Sequence, residues 1–479
     1  MTSSMTSDVR LTTIKQTFKT TSLMANNQLT EFEMLFSHKT TENGDKSYRT
    51  TGNKMLDILF MTEYYQKHLT ETPTLDMNTE YLVKKAQLFS MFIRDPRFGL
   101  GRRDLGRYLM QQVNLDIELV VLCGRADDLW NMYPNGNKFY QVIDFIKAKI
   151  DGNDEMKELY KKWLPRYSSK DLLIARRIAA HWKMNKQTYG HYIKADTVEN
   201  TMSRKNWESI QFDKLPSLAA IKYVKAFMRH EPERYQKYLD DVRAGKKELH
   251  VATTTVYDIY KNRDSIDPDL FFSKIEKISG NWIPVVDTSG SMWDSNDSAG
   301  KAMAIGHYLA KCSTYCPNQV LSFSSQPQLI TLGTPAKPSY GYGYNRFSNP
   351  KNSQYIKEIA SMYTGDCLNT DFGAVMRLLS GLKTYFPEWI VVLSDMEFDA
   401  GSSRSKDATM QYFKSIGAKT KILWWNFNSR ATTVPEIDKY GNCYMSGYNP
   451  FLLKFLEAGF NGNQFLDNLL NEYRKALVK

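Results

Sequence analysis

Between about residues 52 and 265, apolar positions recur three and four residues apart, the period of helices with one buried face. Segments 54–69, 79–95, 104–123 and 137–152 show it, and the runs beginning at Glu155, Lys170 and Ser217 continue it. Short connectors with Pro, Gly or Asn separate the segments, and no strand-like run interrupts them. The pattern predicts a stacked helical array, with the 217–245 segment read as a continuation of the same helical pattern. No strict period is visible, so any repeat is degenerate.

From about residue 281 the pattern changes. The runs 282–287, 319–324, 389–395 and 420–427 are apolar nearly throughout, and helical patterns at 298–315, 369–386 and 406–418 alternate with them. Strands without polar alternation, interleaved with helices, predict a mostly parallel sheet covered on both faces. Segment 334–353, rich in Pro, Gly, Tyr and Asn, reads as an exposed excursion. The expected organisation is a flexible arm over 1–50, a helical domain over 51–277 and an α/β domain over 278–479.

The first strand of the α/β half ends in chemistry. Asp287 closes the run 282–287, and Ser289 and Ser291 follow around Gly290. Ligands of open parallel sheets bind outside the carboxyl ends of the strands. A carboxylate with two hydroxyls offers three oxygens, the donor type that hard divalent cations prefer. Further oxygens come from Thr370 and Asp371 before a predicted helix, and from Asp395 after the run 391–394. Taken singly, Asp287 and Asp371 also read as helix caps, Ser289 as turn chemistry and Asp395 as a strand terminator.

Charge adds a second possibility. The 479 residues carry a net +11, with 24% charged and 42% hydrophobic, and most of the excess precedes residue 281. Such a balance favours an anionic partner. Arg94, Arg97, Arg102, Arg103 and Arg107 crowd one stretch with Gly99 and Gly101, and Phe98 and Tyr108 offer rings for stacking. The same arginines have Asp95 and Asp104 interspersed and read equally as structural ion pairs. Arg166, Arg176 and Arg177, with Lys161, Lys162 and Lys170, form a second basic set that also reads as a solvated helix face. His181 and His191 read as structural, without a carboxylate partner evident from spacing. Cys123, Cys312, Cys316, Cys367 and Cys443 lack framework spacing and fit reduced, partly buried thiols in a cytoplasmic protein. No apolar run approaches the roughly 20 residues of a membrane span. Nucleophile-elbow, P-loop and zinc signatures are absent. A metal nuclease using Glu397 and Asp399 beside Asp395 stays open, though serines at the best ligand positions suit capture of a carboxylate better than hydrolysis.

Asp-x-Ser-x-Ser, then a Thr, then an Asp after an apolar strand resembles the metal-ion-dependent adhesion site of von Willebrand factor A domains. The resemblance implies a Rossmann-like fold and Asp287, Ser289, Ser291, Thr370 and Asp395 as ligands of Mg²⁺ or of another divalent cation such as Mn²⁺ or Ca²⁺. It also implies that an acidic residue of a partner protein completes the coordination. The stretches 94–110, 123–132, 161–166, 204–249 and 391–399 resemble the Ro autoantigen (TROVE) family, and more closely its sister family of uncharacterised Ro-like proteins. That resemblance implies a HEAT-like helical array able to close into a ring, a monomer, and non-catalytic ribonucleoprotein function. RNA, as single-stranded ends or small structured RNA, would meet Arg94, Arg97, Arg102, Arg103, Arg107, Arg166, Arg176 and Arg177.

Overall fold

A computed structural model describes residues 103–112, 126–152, 157–169, 171–251, 253–324, 326–334, 353–363, 371–382, 385–396, 418–428 and 441–448, with short pieces elsewhere. The helical pattern expected over 54–69, most of those over 79–95 and 406–418, part of that over 104–123 and nearly all of the two closing runs lie outside the described residues, as do nearly all of the Pro/Gly/Tyr excursion and most of the expected arm.

The first half is helical. Its elements are α1 (Arg103–Gln112), α2 (Ala126–Met132), α3 (Asn137–Asp151), α4 (Lys157–Trp163), α5 (Leu172–His181), α6 (Lys186–Tyr192) and α7 (Val198–Ser203). They continue through α8 (Ser217–Lys222), α9 (Val224–His230), α10 (Pro232–Arg243), α11 (Val256–Asn262) and α12 (Pro268–Ser273). The helical period is literal in α3, which buries Phe139, Val142, Ile143, Ile146 and Ile150 on one face. The segment 217–245 is not continuous, contrary to its periodicity. It breaks at Tyr223, at φ −103°, and again at Glu231, the second time because Pro232 lacks an N–H and forces the residue before it out of helical geometry, to φ −138°. α11 starts at a capping box: the Thr255 hydroxyl accepts from the Asp258 N–H and the Asp258 carboxylate accepts from the Thr255 N–H.

The second half is a sheet with helices on both faces. Strands β1 (Trp282–Asp287), β2 (Gln319–Phe323), β3 (Leu329–Thr331), β4 (Trp389–Ser394), β5 (Lys421–Asn426), β6 (Glu436–Ile437) and β7 (Cys443–Ser446) stand in the order β3-β2-β1-β4-β5-β7-β6. The pairs of β1 with β2, β1 with β4, β4 with β5, and β5 with β7 are parallel, while the edge strands β3 and β6 pair antiparallel. β1 and β4 are buried at every position, which is why their sequence shows no polar alternation. Val286 and Leu393 face the core shared with α13 (Ser298–Cys312); Ile283, Val285, Ile390 and Val392 face a second core with α15 (Phe372–Leu382). α13 crosses β1 closely: a Cβ on Gly306 would stand 2.4 Å from Val286 Cγ2. The pattern misses β3, β6, β7 and α14 (Gln354–Ser361). β7 is four residues between Gly441 and Gly447, both at positive φ, and those glycines were the available signal.

The halves share one apolar core. At their junction Phe272 of α12 packs against His307 of α13 at 4.6 Å and Tyr355 of α14 at 5.5 Å between ring centroids. Asp269 Oδ1 accepts the Tyr355 N–H at 2.8 Å. Beside them, buried Glu358 takes hydrogen bonds from His307 Nε2 at 2.6 Å and Lys311 Nζ at 2.7 Å. Burial alone would raise the Glu358 carboxyl, but the bonds from His307, Lys311 and Gln354 outweigh it and bring the carboxyl down to about 2. Burial likewise holds His307 below its ordinary value, so the neutral ring donates.

A carboxyl lowered in the folded state stabilises above its unfolded value and loses that contribution as pH falls towards the folded one. Glu358→Gln is therefore expected to cost about 3 kcal/mol at pH 7. The cost should shrink below about pH 4.3, the ordinary glutamate value. Urea unfolding of both proteins at pH 7 and at about pH 3, between the folded and ordinary values, checks this, and an identical cost at both pH values would contradict the assignment.

Candidate metal centre at the sheet edge

The chain leaves β1 towards β2 on one side and later returns to β4 on the other. The carboxyl ends of β1 and β4 thus form the switch point of the sheet, where two loops diverge and leave a crevice. Val286 pairs with Leu393, so Asp287 and Ser394 end their strands side by side, and Asp395 follows directly. Ser394 Oγ donates to Asp287 Oδ2 at 2.6 Å, and the Ser289 N–H donates to Asp287 Oδ1 at 2.9 Å. Those two bonds fix the carboxylate from both sides.

The loop after β1 turns at once into a 3-10 turn, Gly290–Met292, anchored by fully buried Met292. Trp293 Nε1 donates to Thr288 O at 3.2 Å and folds the loop back on itself. This turn brings the Ser289 and Ser291 hydroxyls to 3.2 Å from each other. Ser289 is buried and Ser291 is exposed, so the pair points from the sheet edge towards solvent.

Asp287 is fully buried and Asp395 is 2% exposed. Burial, and then the Asp395 charge, push the Asp287 carboxyl up to about 7, against the opposing bonds from Ser394 and Ser289. Two neighbouring buried carboxylates, with the Ser289–Ser291 hydroxyl pair on the loop that leaves Asp287, are donors of the type a hard divalent cation prefers, and a cation would relieve the repulsion between the carboxylates. Thr370 lies outside the described residues. Two positions on, Phe372 is buried against Phe323, the register partner of Asp287, with ring centroids 6.5 Å apart. Asp371 faces Arg377 at 3.2 Å. Ser394 is the site residue that the motif does not name; only the β1–β4 pairing reveals it.

The arginines divide. Arg94 is 2% exposed and its Nη2 lies 2.6 Å from Asp128 Oδ2. Arg107 Nε meets the other oxygen of Asp128 at 2.5 Å, and its Nη2 reaches Asp127 at 3.3 Å. A buried carboxylate between two guanidiniums ties α1 and the Arg94 segment to α2, so these two arginines serve the fold through Asp128, a partner more distant in sequence than Asp95 or Asp104. Arg177 is half-buried, donating to Pro134 O at 2.7 Å and lying over the Phe139 ring at 4.4 Å. Arg103, Arg166 and Arg176 are exposed, and Arg97 and Arg102 lie outside the described residues. His181 does have a carboxylate partner: its Nε2 is 2.6 Å from Asp144 Oδ1, on the neighbouring helix and invisible to local spacing.

Residues 187–281 match a domain of unknown function, DUF2828, and residues 281–472 match another, DUF7788. The two matches meet at the start of β1. The chain is 24% identical over 515 residues to an uncharacterized protein of Acanthamoeba polyphaga mimivirus, covering 90% of this chain and 87% of that protein. Among solved structures it is similar to the Ro (RSR) protein of Deinococcus radiodurans at 13% identity, covering 86% of this chain and 68% of that one with a TM-score of 0.30.

An acid whose folded value is raised loses stability as pH rises from its ordinary value through the raised one. In cation-free protein at pH 8, Asp287→Asn is expected to be more stable than wild type by at least about 1 kcal/mol, with the difference vanishing near pH 4. Thermal melts in chelator at both pH values measure it.

Proposed function

We propose that the sheet half is a metal-ion-dependent adhesion site of the von Willebrand factor A kind, set in a non-catalytic binding protein. The observation that supports this reading is the meeting of Asp287, Ser289, Ser291 and Asp395 around the carboxyl ends of two adjacent parallel strands. In this reading the Ser289 and Ser291 hydroxyls face the cation, and Asp287 and Asp395 bind it directly or through water. Thr370 is the fifth position by resemblance. A bound Mg²⁺ or Mn²⁺ supplies Lewis acidity towards an incoming carboxylate. Neutral hydroxyls leave much of its charge unspent, which suits capture of an acidic residue from a partner. Two-metal hydrolysis asks for more carboxylates around the ions, and Glu397 and Asp399 lie outside the described residues.

Calorimetric titration with Mn²⁺ tests the site. Replacing Ser289 and Ser291 together by Ala is expected to weaken binding by at least about tenfold. Unchanged affinity in the double variant would sink the reading.

A second reading, single-stranded RNA on the helical half, rests on the net charge of +11 and on exposed Arg103, Arg166 and Arg176. Exposed Tyr140, flanked by His181 at 4.7 Å and Arg177 at 5.8 Å, adds a ring on which a base would stack. Phosphate contacts release counterions, so Arg166→Ala with Arg176→Ala should lower the slope of log affinity against log salt by about 2. Gel shifts with a single-stranded RNA oligonucleotide across a salt series read this out, and absence of any shift at low salt would exclude it. No Mg²⁺-dependent cleavage of that oligonucleotide is expected.

A further inference from the structure

We infer that Tyr257, on α11 of the helical half, is a positioning residue for the metal loop of the sheet half. This inference rests on the metal reading above and adds to it a residue from outside the sheet half. The loop that carries Ser289 and Ser291 ends at Asp297, a non-glycine residue in the left-handed region at φ 55°. Aspartate tolerates that conformation better than most residues, yet it needs support from outside. Tyr257 gives it: the Tyr257 hydroxyl donates to Asp297 Oδ2 at 3.0 Å. Burial and the Asp297 charge push the Tyr257 phenol up, so it keeps the proton it donates.

The contact is built rather than incidental. Gly300, one turn into α13, lets the neighbouring Tyr260 ring approach so closely that a Cβ there would stand 2.5 Å from Tyr260 Cε1 and from Asp297 Oδ2. Lys301 Nζ donates to Asn296 Oδ1 at 2.8 Å and lies 5.7 Å from the centre of the Tyr257 ring. The Tyr257 N–H donates in turn to the Tyr448 hydroxyl at 3.2 Å. Asp294 holds the turn from within, accepting from the Asn296 and Ser298 N–H groups and from the Ser298 hydroxyl.

From this clamp a bonded path runs to the carboxylate at the site. Asn296, beside Asp297, donates through Nδ2 to Phe427 O at 3.1 Å. The Phe427 N–H donates to Ser394 O at 3.0 Å, and Ser394 Oγ donates to Asp287 Oδ2 at 2.6 Å. The loop that presents the hydroxyls and the strand end that presents Asp395 are thus referred to one another through Asn296 and Phe427, and the helical half fixes the loop at its far end. Loss of the Tyr257 hydroxyl removes one bond and no ring packing, so its effect falls on loop position more than on the core.

The test uses the full chain and two readouts. In Mn²⁺ titration, Tyr257→Phe should weaken binding by about tenfold, while Asp269→Ala, which cuts a different bond across the same junction, should stay within about twofold of wild type. In hydrogen exchange without added metal, Tyr257→Phe should speed exchange at the Phe427 and Ser298 amides, and Asp269→Ala should not. Wild-type exchange at those amides in Tyr257→Phe overturns the positioning role whatever the titration gives. Equal weakening by both variants overturns it as well, since that would reduce Tyr257 to general stability. Absence of Mn²⁺ binding by the wild type, with altered exchange in Tyr257→Phe, would instead sink the metal reading and leave the clamp as a structural tie only.

Discussion

Parallel pairing of β1 with β4 is the constraint on which the rest depends. It places Asp287 beside Ser394 and one residue from Asp395, at the only kind of position in such a sheet where two loops diverge. The strands can be apolar at every position because α13 covers one face and α15 the other. Their polar chemistry is therefore pushed to the strand ends. A buried carboxylate there is costly unless hydrogen bonds or a cation meet it, and Ser394 with the Ser289 amide and hydroxyl are what the fold supplies. The upward push on Asp287 is the energetic trace of a charge that these groups only partly compensate.

The helical half bears on the same site through its junction with the sheet. Phe272, His307 and Tyr355 join the halves by ring packing, and the bonds of Glu358 to His307 and Lys311 fix α14 against α13 next to them. Tyr257 and Asp269 add directional bonds, one of them to the end of the loop that follows β1. Apolar packing supplies most of the cohesion, being non-directional and proportional to area, while the hydrogen bonds fix which atoms meet.

Basic charge in the helical half is not one resource. Arg94 and Arg107 grip Asp128 from two sides and cost too much desolvation to be spared for a ligand, since removing one partner would strand a buried charge. Arg166 and Arg176 stand in solvent. The same residue type, in two basic stretches of one helical half, thus serves structure in one place and stands open to an anion in the other. Burial, together with the carboxylate that burial brings into reach, separates the two.

How much of this was legible differs by element. The helical period of α3 and the apolar runs of β1, β4 and β5 were readable because burial on one face or on both leaves a direct mark on the order of residues. The Asp287, Ser289 and Ser291 motif was readable because a tight turn keeps its oxygens within five positions. The break before Pro232 was encoded too, in the ring that bars helix there, although periodicity masked it. Tertiary structure alone decided that Ser394 bonds Asp287, that Asp128 claims Arg94 and Arg107, that Asp144 meets His181, and that Tyr257 reaches Asp297. Each of those pairs joins residues from different elements, and sequence pattern reports the face a residue turns to, not the neighbour that face meets.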